Sequence, residues 1–214
     1  IGRMWLRGAE LISRPGVFIV RPETEVVAGA AIEAARAVMD GGGGVVLTAD
    51  LCTGSGAIAA CVAKEVPGAR VVAVEISETA ASLARENCER LVPGRVEVIH
   101  ADATDPLVLH DLNGQVYVVV SNPPYVPAGA VEDTETEQHE PTVALYGGGP
   151  YGLEIPIDVL VRSVALLRTG GVLVMEHDHE HGALLRAAAL GAGFKQADTG
   201  QDLTGRDRYL RAVR

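Results

Sequence analysis

The residues best equipped to do chemistry are Ser121-Asn122-Pro123-Pro124-Tyr125, which close the apolar run Val116-Tyr117-Val118-Val119-Val120. The run is β-branched and uninterrupted, with Gly114 before it and two prolines after it, and so reads as a fully buried strand. Two consecutive prolines can neither donate to a ladder nor readily start a helix, so the strand must end in a stiff turn. That turn holds Asn122 at the carboxyl end of a central strand, where open α/β sheets bind their ligands. Asn122 offers one carbonyl acceptor and one NH2 donor, a matched pair for a planar amide or amidine. Tyr125 adds a flat face and a hydroxyl.

Other polar residues fall at the ends of neighbouring apolar runs. Val45-Val46-Leu47-Thr48-Ala49-Asp50 reads as a strand, followed by Leu51-Cys52-Thr53-Gly54-Ser55-Gly56 and a helical stretch to Glu65. Strand, glycine-rich turn and helix in this order bring backbone N–H groups against a ligand, although the third glycine of a dinucleotide fingerprint is missing. Arg70-Val71-Val72-Ala73-Val74 ends in Glu75, about 20 residues beyond the glycines, where an acid can accept both ribose hydroxyls of an adenosine. Val96-Glu97-Val98-Ile99-His100 leads to Asp102, placed to accept from an adenine amino group or to serve as an ordinary loop acid. Asp50, Glu75, Asp102 and Asn122 are therefore expected on one rim.

The elements that must position these residues are legible in order. The stretch from Met4 to Val20 reads as a hairpin turning at Ser13-Arg14-Pro15-Gly16. Arg21-Pro22-Glu23-Thr24-Glu25 opens a helix that runs to about Met39 and ends at the glycines from Gly41 to Gly44. Helices are expected over Thr79–Leu91, Ile157–Leu167 and Ala183–Leu190, and later strands over Gly170–Glu176, Phe194–Ala197 and Arg208–Val213. Gly129 to His139 is acidic and aperiodic, a loop or lid over the rim. His177-Asp178-His179-Glu180-His181 has the composition of a metal cluster, but alternation along a strand-to-helix connection spreads the groups, so it reads as a solvated turn without metal.

Bulk properties narrow the class. A chain of 214 residues with 48% hydrophobic content buries one sizeable core. A net charge of −10, no Lys/Arg run and 4% aromatic residues argue against stable binding of nucleic acid through phosphates or stacked bases. The three cysteines, Cys52, Cys61 and Cys88, follow no metal spacing and suit a reduced, cytoplasmic protein; no stretch reads as a membrane span or signal peptide.

A rim built for adenosine, with no Walker lysine and no hydride-transfer fingerprint, points to S-adenosylmethionine. The segment Asp50 to Gly56, then Glu75, Asp102 and Asn122-Pro123-Pro124-Tyr125, resembles the motifs of class I methyltransferases in their order. Arg21-Pro22-Glu23-Thr24-Glu25, Glu140-Pro141 with Ala144-Leu145, Glu176-His177 and Asp202 to Arg208 narrow the resemblance to the HemK/PrmC protein-(glutamine N5) methyltransferases, over nearly the whole chain. The resemblance implies a seven-stranded, mostly parallel doubly wound α/β sheet. A β-hairpin lead-in (1–20) would precede a single S-adenosylmethionine-dependent domain (21–214). It implies methyl transfer to the glutamine of the Gly-Gly-Gln loop of peptide-chain release factors. Asp50, Cys52, Thr53, Gly54, Ser55, Gly56, Glu75, Asp102, Ala103 and Asn122 would bind the cofactor, and Asn122, Pro123, Pro124 and Tyr125 the acceptor amide.

The sequence also departs from that family. The chain opens on Ile1, without the N-terminal helical domain that usually precedes the hairpin; Tyr151-Gly152 stands where Asp-Gly is usual; and Asp178, Glu180 and His181 replace the usual Gly and Gln residues. Two other readings use the same residues. One is an adenine-N6 methyltransferase acting on DNA or RNA, since an exocyclic amine fits the same clamp. The other is a cofactor-binding scaffold without turnover.

Overall fold

The protein is described from a computed structural model, which defines residues 2–42, 44–127, 129–130 and 140–214. Most of the acidic stretch expected as a lid, residues 131–139, lies outside the described residues.

The chain begins with a hairpin of β1 (Arg3–Leu6) and β2 (Ala9–Ile12). Its turn is Arg7-Gly8, with φ of 47° and 70°, so both central residues are left-handed, as a two-residue hairpin turn of matching twist requires. This corrects the expected turn at Ser13-Arg14-Pro15-Gly16: the Pro-Gly pair follows the hairpin, and Val17 N–H donates to Arg14 O there. The hairpin is no loose appendage. Met4, Leu6, Ala9 and Leu11 are buried in the main core, and Arg7 donates to both oxygens of Glu65 at 2.6 and 3.0 Å.

Helix α1 (Thr24–Asp40) buries Val27, Ala28, Ala31, Ile32 and Ala35, one stripe at helical spacing. The chain then alternates β3 (Val46–Leu51), α2 (Ala57–Glu65), β4 (Ala69–Glu75), α3 (Glu78–Leu91) and β5 (Val96–His100). A short 3-10 turn (His110–Leu112) leads into β6 (Val116–Ser121). After it come α4 (Thr142–Leu145), α5 (Glu154–Leu166), β7 (Leu167–Glu176), α6 (Gly182–Ala192), β8 (Gln196–Gln201) and β9 (Asp207–Val213). The penultimate strand thus starts later than the expected Phe194–Ala197. Phe194 is instead a buried anchor whose N–H caps the end of α6 through Ala189 O.

Seven strands form one sheet in the order β5-β4-β3-β6-β7-β9-β8. Only β9 runs against the others. One face packs on α1, α2 and the hairpin, the other on α5 and α6, so the central strands are apolar on both sides. Strand order reverses between β3 and β6, which pair in register from Thr48↔Val118 to Leu51↔Ser121. The crevice beyond the carboxyl ends of those two strands is the topological switch point, where such sheets take ligands.

Candidate active site

A cavity of about 560 Å³ opens at that switch point. The loop after β3 lines one half through Cys52, Thr53, Gly54 and Ser55, joined by Glu75, Ile76 and Ser77 from the end of β4 and by Asp102, Ala103 and Thr104 beyond β5. The loop after β6 supplies Asn122, Pro123, Pro124 and Tyr125 at the junction with the other half. That second half is walled by Phe18, Arg21, Glu23 and Thr24, by Pro141, Val143, Ala144 and Leu145, and by Asp178, His179, Arg206 and Arg208.

The cofactor half is built largely from backbone. Cys52 takes φ 61° and Gly54 φ 58°, which turns the loop back over the sheet. Thr53 N–H donates to Val74 O at 3.0 Å. Glu75 holds the loop from the neighbouring strand: Oε2 accepts from Gly54 N at 2.8 Å and Oε1 from Ser77 N at 2.9 Å. Each carboxylate oxygen keeps lone-pair capacity for a second donor, so Glu75 can bind a diol while bracing the loop. Asp102 is exposed, and one oxygen takes both the N–H and the hydroxyl of Thr104. Its other oxygen remains for a ligand donor. The Cys52 thiol is pushed up by burial, with the Glu75 and Asp50 carboxylates adding to it, and stays protonated.

Two residues expected to bind the cofactor, Asp50 and Gly56, lie beneath the rim. Asp50 is fully buried and does not line the cavity. Its Oδ2 accepts from Thr53 Oγ1 at 2.6 Å and from Ala59 N at 3.0 Å. The N-cap of α2 is Gly56, which has no side chain, so Asp50 caps the helix from the preceding strand and ties the loop to it. Burial raises its carboxyl to about 7, against the Thr53 and Ala59 bonds. Gly56 does not line the cavity either: it sits at φ 79°, where an added Cβ would lie 3.0 Å from Cys88 Sγ and 3.1 Å from Ala84 Cβ. Its role is close packing of α2 on α3. Asn87 completes this support, donating to Ile12 O and Ser55 O and accepting from Ile12 N.

The acceptor half centres on Asn122. Ser121 anchors the strand end by donating to Leu51 O at 2.6 Å; Pro123 and Pro124 are buried, and Asn122 is half-buried. Among the described residues none hydrogen bonds the Asn122 side-chain amide. Backbone rather than side chains braces the loop from behind. Val126 N–H donates to Leu145 O, and Gly147 N–H to Val126 O. An added Cβ on Gly147 would lie 2.7 Å from Pro124 O, and one on Gly152 2.2 Å from Tyr125 O.

The sequence reading missed a buried polar group behind Tyr125. Tyr125 OH donates to Glu176 Oε1 at 3.3 Å. Glu176 is wholly buried at the end of β7, and burial pushes its carboxyl up to about 7, with Arg208 and Tyr125 favouring the ionised form. The signal was present: Glu176 ends the apolar run Val172–Met175 just as Glu75 ends its own. Arg208 reaches this group from β9 and pairs with Asp202 at 3.3 Å. Glu140 holds the wall segment, accepting from Ile19 N and pairing with Arg21 at 3.3 Å.

The histidine-rich turn spreads out. His177 is buried with Nδ1 on Asp178 O at 2.7 Å, His179 is exposed beside Asp178, and His181 is buried against the backbone of Tyr151. Among the described residues no three His, Cys, Asp or Glu side chains converge as a metal site.

The donor set fits S-adenosylmethionine. That cofactor carries a cationic sulfonium and ammonium, a ribose diol and a planar base. Glu23, Glu75, Asp102, Glu154, Asp158 and Asp178 all line the cavity against Arg21, Arg206 and Arg208, so its walls favour a cation. Ile76 and Ala103 supply apolar surface beside Asp102 for the base. Ala57 and Ile58, in the first turn of α2, offer N–H groups and the positive helix end to its carboxylate.

Known proteins point the same way. Residues 9–139 match the family described as Methyltransferase small domain. The chain is 44% identical to the release factor glutamine methyltransferase of Bifidobacterium longum (strain NCC 2705), over 99% of this chain and 74% of that protein. It is also 44% identical to the release factor glutamine methyltransferase of Streptomyces coelicolor, over 99% of this chain and 73% of that protein. Among solved structures, the ribosomal protein L11 methylase of Lactobacillus delbrueckii subsp. bulgaricus superimposes with a TM-score of 0.60 at 20% identity. It covers 93% of this chain and 81% of its own, and shows a shared fold. A methyltransferase sheet, a cavity at its switch point and identity of this level across nearly the whole chain place the protein in the family of release factor glutamine methyltransferases.

Proposed function

We propose that the protein transfers a methyl group from S-adenosylmethionine to the side-chain amide nitrogen of a glutamine in a peptide-chain release factor. The observation that carries this reading is the Asn122 amide, which has no hydrogen-bond partner among the described residues and sits on a braced loop where the two halves of the cavity meet, in a chain 44% identical to proteins named for that reaction.

An amide nitrogen is a poor nucleophile because its lone pair is delocalised into the carbonyl. When bound, the cofactor supplies a methyl group already activated by its sulfonium. The chain's task is therefore to position and to stabilise. The Asn122 side-chain oxygen and the Pro123 carbonyl can each accept one N–H of the substrate amide, which fixes the direction of its nitrogen. Both oxygens also stabilise the positive charge that grows on nitrogen as the bond forms. Tyr125 packs its ring against the amide plane. Glu75 and Asp102 hold the ribose and base, so the reacting methyl is presented from the cofactor half. A proton leaves the nitrogen after transfer, and no covalent enzyme intermediate is required.

A cytoplasmic site of action suits this substrate, and no helix among the described residues is long and apolar enough to cross a membrane. The net charge of −10 disfavours the adenine-N6 alternative, which would need phosphate contacts. The test is labelled methyl transfer from S-adenosylmethionine to a purified release factor and to the same factor with its Gly-Gly-Gln glutamine changed to alanine. Labelling of the first alone supports the reading. Labelling of an adenine oligonucleotide and of neither release factor overturns it.

A further inference from the structure

We propose that Glu176 is a positioning residue for methyl transfer, holding the Tyr125 ring at the acceptor clamp through its phenol. The proposal rests on the reading of Asn122 to Tyr125 as the amide-binding loop. β6 and β7 pair Val120↔Val174 and Ser121↔Met175, so Glu176 lies one step further on, level with Asn122 across the ladder. Alternation turns Glu176 to the same face as Val174, toward the start of α1, while Met175 enters the opposite core. Every residue of the Val172–Met175 run is apolar, and a leucine or valine at position 176 would serve the sheet equally well. A carboxyl at zero exposure is instead costly. It is also incompletely compensated: Oε1 accepts from Tyr125 OH at 3.3 Å, whereas Oε2 and the neighbouring Thr24 Oγ1 have no hydrogen-bond partner among the described residues.

Tyr125 is where such a group is useful. The two prolines fix the backbone that reaches it, but the direction of its half-buried ring at the cavity edge is set by what the side chain touches. A phenol bonded to an acceptor on a central strand is referred to the most rigid part of the molecule. The ring then lies ready beside the acceptor amide rather than being ordered at each turnover. The 3.3 Å separation is long for an O–H···O bond, so the contact steers the ring rather than locking it.

The test compares Glu176→Leu, Glu176→Gln, Tyr125→Phe and the Tyr125→Phe/Glu176→Leu double variant. For a bond used to hold the ring, Glu176→Leu and Tyr125→Phe each lower kcat about tenfold, with cofactor Kd unchanged. The double variant is no slower than either single one, because both remove the same contact. Glu176→Gln keeps an oxygen acceptor and restores most of the rate. Melting of Glu176→Leu is no lower than that of the parent, since an unsatisfied carboxyl is removed. A second readout needs no acceptor: with ring-labelled tyrosine, five residues in all, Tyr125 is assigned by its loss in Tyr125→Phe. Its ring signal shifts in Glu176→Leu and returns in Glu176→Gln. An unshifted ring signal in Glu176→Leu, or additive losses in the double variant, overturns the proposal. If the parent enzyme labels no release factor, the substrate reading falls, while the ring signal still decides the role of Glu176.

Discussion

Replacing Gly147 with alanine should damage methyl transfer much more than it damages cofactor binding. Gly147 is not needed for a left-handed turn; it is needed because two backbones meet there. An added Cβ would lie 2.1 Å from Gly152 O and 2.7 Å from Pro124 O. Ordinary contact begins near 3.4 Å, so one or both carbonyls must move by roughly 1 Å, and neither belongs to a side chain that could swing aside. Pro124 O belongs to the loop that carries the clamp, and Gly147 N–H is bonded to Val126 O just beyond it, so the displacement is transmitted to Asn122 and Tyr125. Overpacking of this kind costs about 1–3 kcal/mol of stability. A misplacement of about 1 Å at the reacting centre costs on the order of 100-fold in rate. Denaturant unfolding, calorimetric titration of S-adenosylmethionine and single-turnover methyl transfer separate these effects. Gly191→Ala is the control: nothing lies within 4 Å of its added Cβ, and it sits inside α6, so it should gain about 0.5–1 kcal/mol with activity unchanged. Gly147→Ala with full single-turnover rate would refute the reasoning.

Glu75→Ala removes an acceptor for the ribose hydroxyls and the anchor of Gly54 N–H; cofactor affinity should fall by about 1.5–3 kcal/mol, read by calorimetry, with unchanged affinity contradicting the assignment. Asp50 has its folded carboxyl raised from 3.8 to about 7, so the folded state holds a proton that the unfolded chain has released, and its contribution is lost as pH rises through that window. The stability of Asp50→Asn relative to the parent should therefore rise by about 2–3 kcal/mol between pH 5 and pH 8, measured by urea unfolding at both; a pH-independent difference would mean that Asp50 is ionised in the fold. A chain of net charge −10 should bind oligonucleotides weakly, with a shallow salt dependence by fluorescence anisotropy. Tight binding that collapses with salt would reveal a phosphate-contacting surface.

How much of this was readable beforehand depended on whether an element announces itself locally. The buried strands did, because parallel strands covered on both faces are continuous apolar runs, and Val116–Val120 ended within a residue of the observed strand. Alternation of these runs with helices read as an open α/β sheet, and the resemblance to class I methyltransferases supplied its seven-stranded, doubly wound form. The hairpin turn was misplaced because Pro15-Gly16 is a stronger local signal than Arg7-Gly8, where arginine occupies a left-handed position stabilised by tertiary bonds to Glu65 and Glu25. Glu75 and Asp50 show the limit for site residues. Both are acids ending apolar strands, one at the cavity and one wholly beneath it. What separates them is that Asp50 lies on the strand that feeds α2, so its carboxyl falls under the helix end, whereas Glu75 reaches across from the adjacent strand. Glu176 was passed over as a site residue because its partner, Tyr125, is distant in sequence and joined to it only by the β6–β7 pairing.

The most direct test of the central claim, that Asn122 holds a glutamine amide for methylation, is single-turnover labelling of a release factor by the parent and by Asn122→Ala, with cofactor affinity measured alongside. The parent should label the glutamine of the Gly-Gly-Gln loop, and Asn122→Ala should lose at least 100-fold in rate, on the order of one lost group stabilising transition-state charge, at unchanged cofactor Kd. Full labelling by Asn122→Ala, or labelling by the parent that survives replacement of that glutamine, would contradict it.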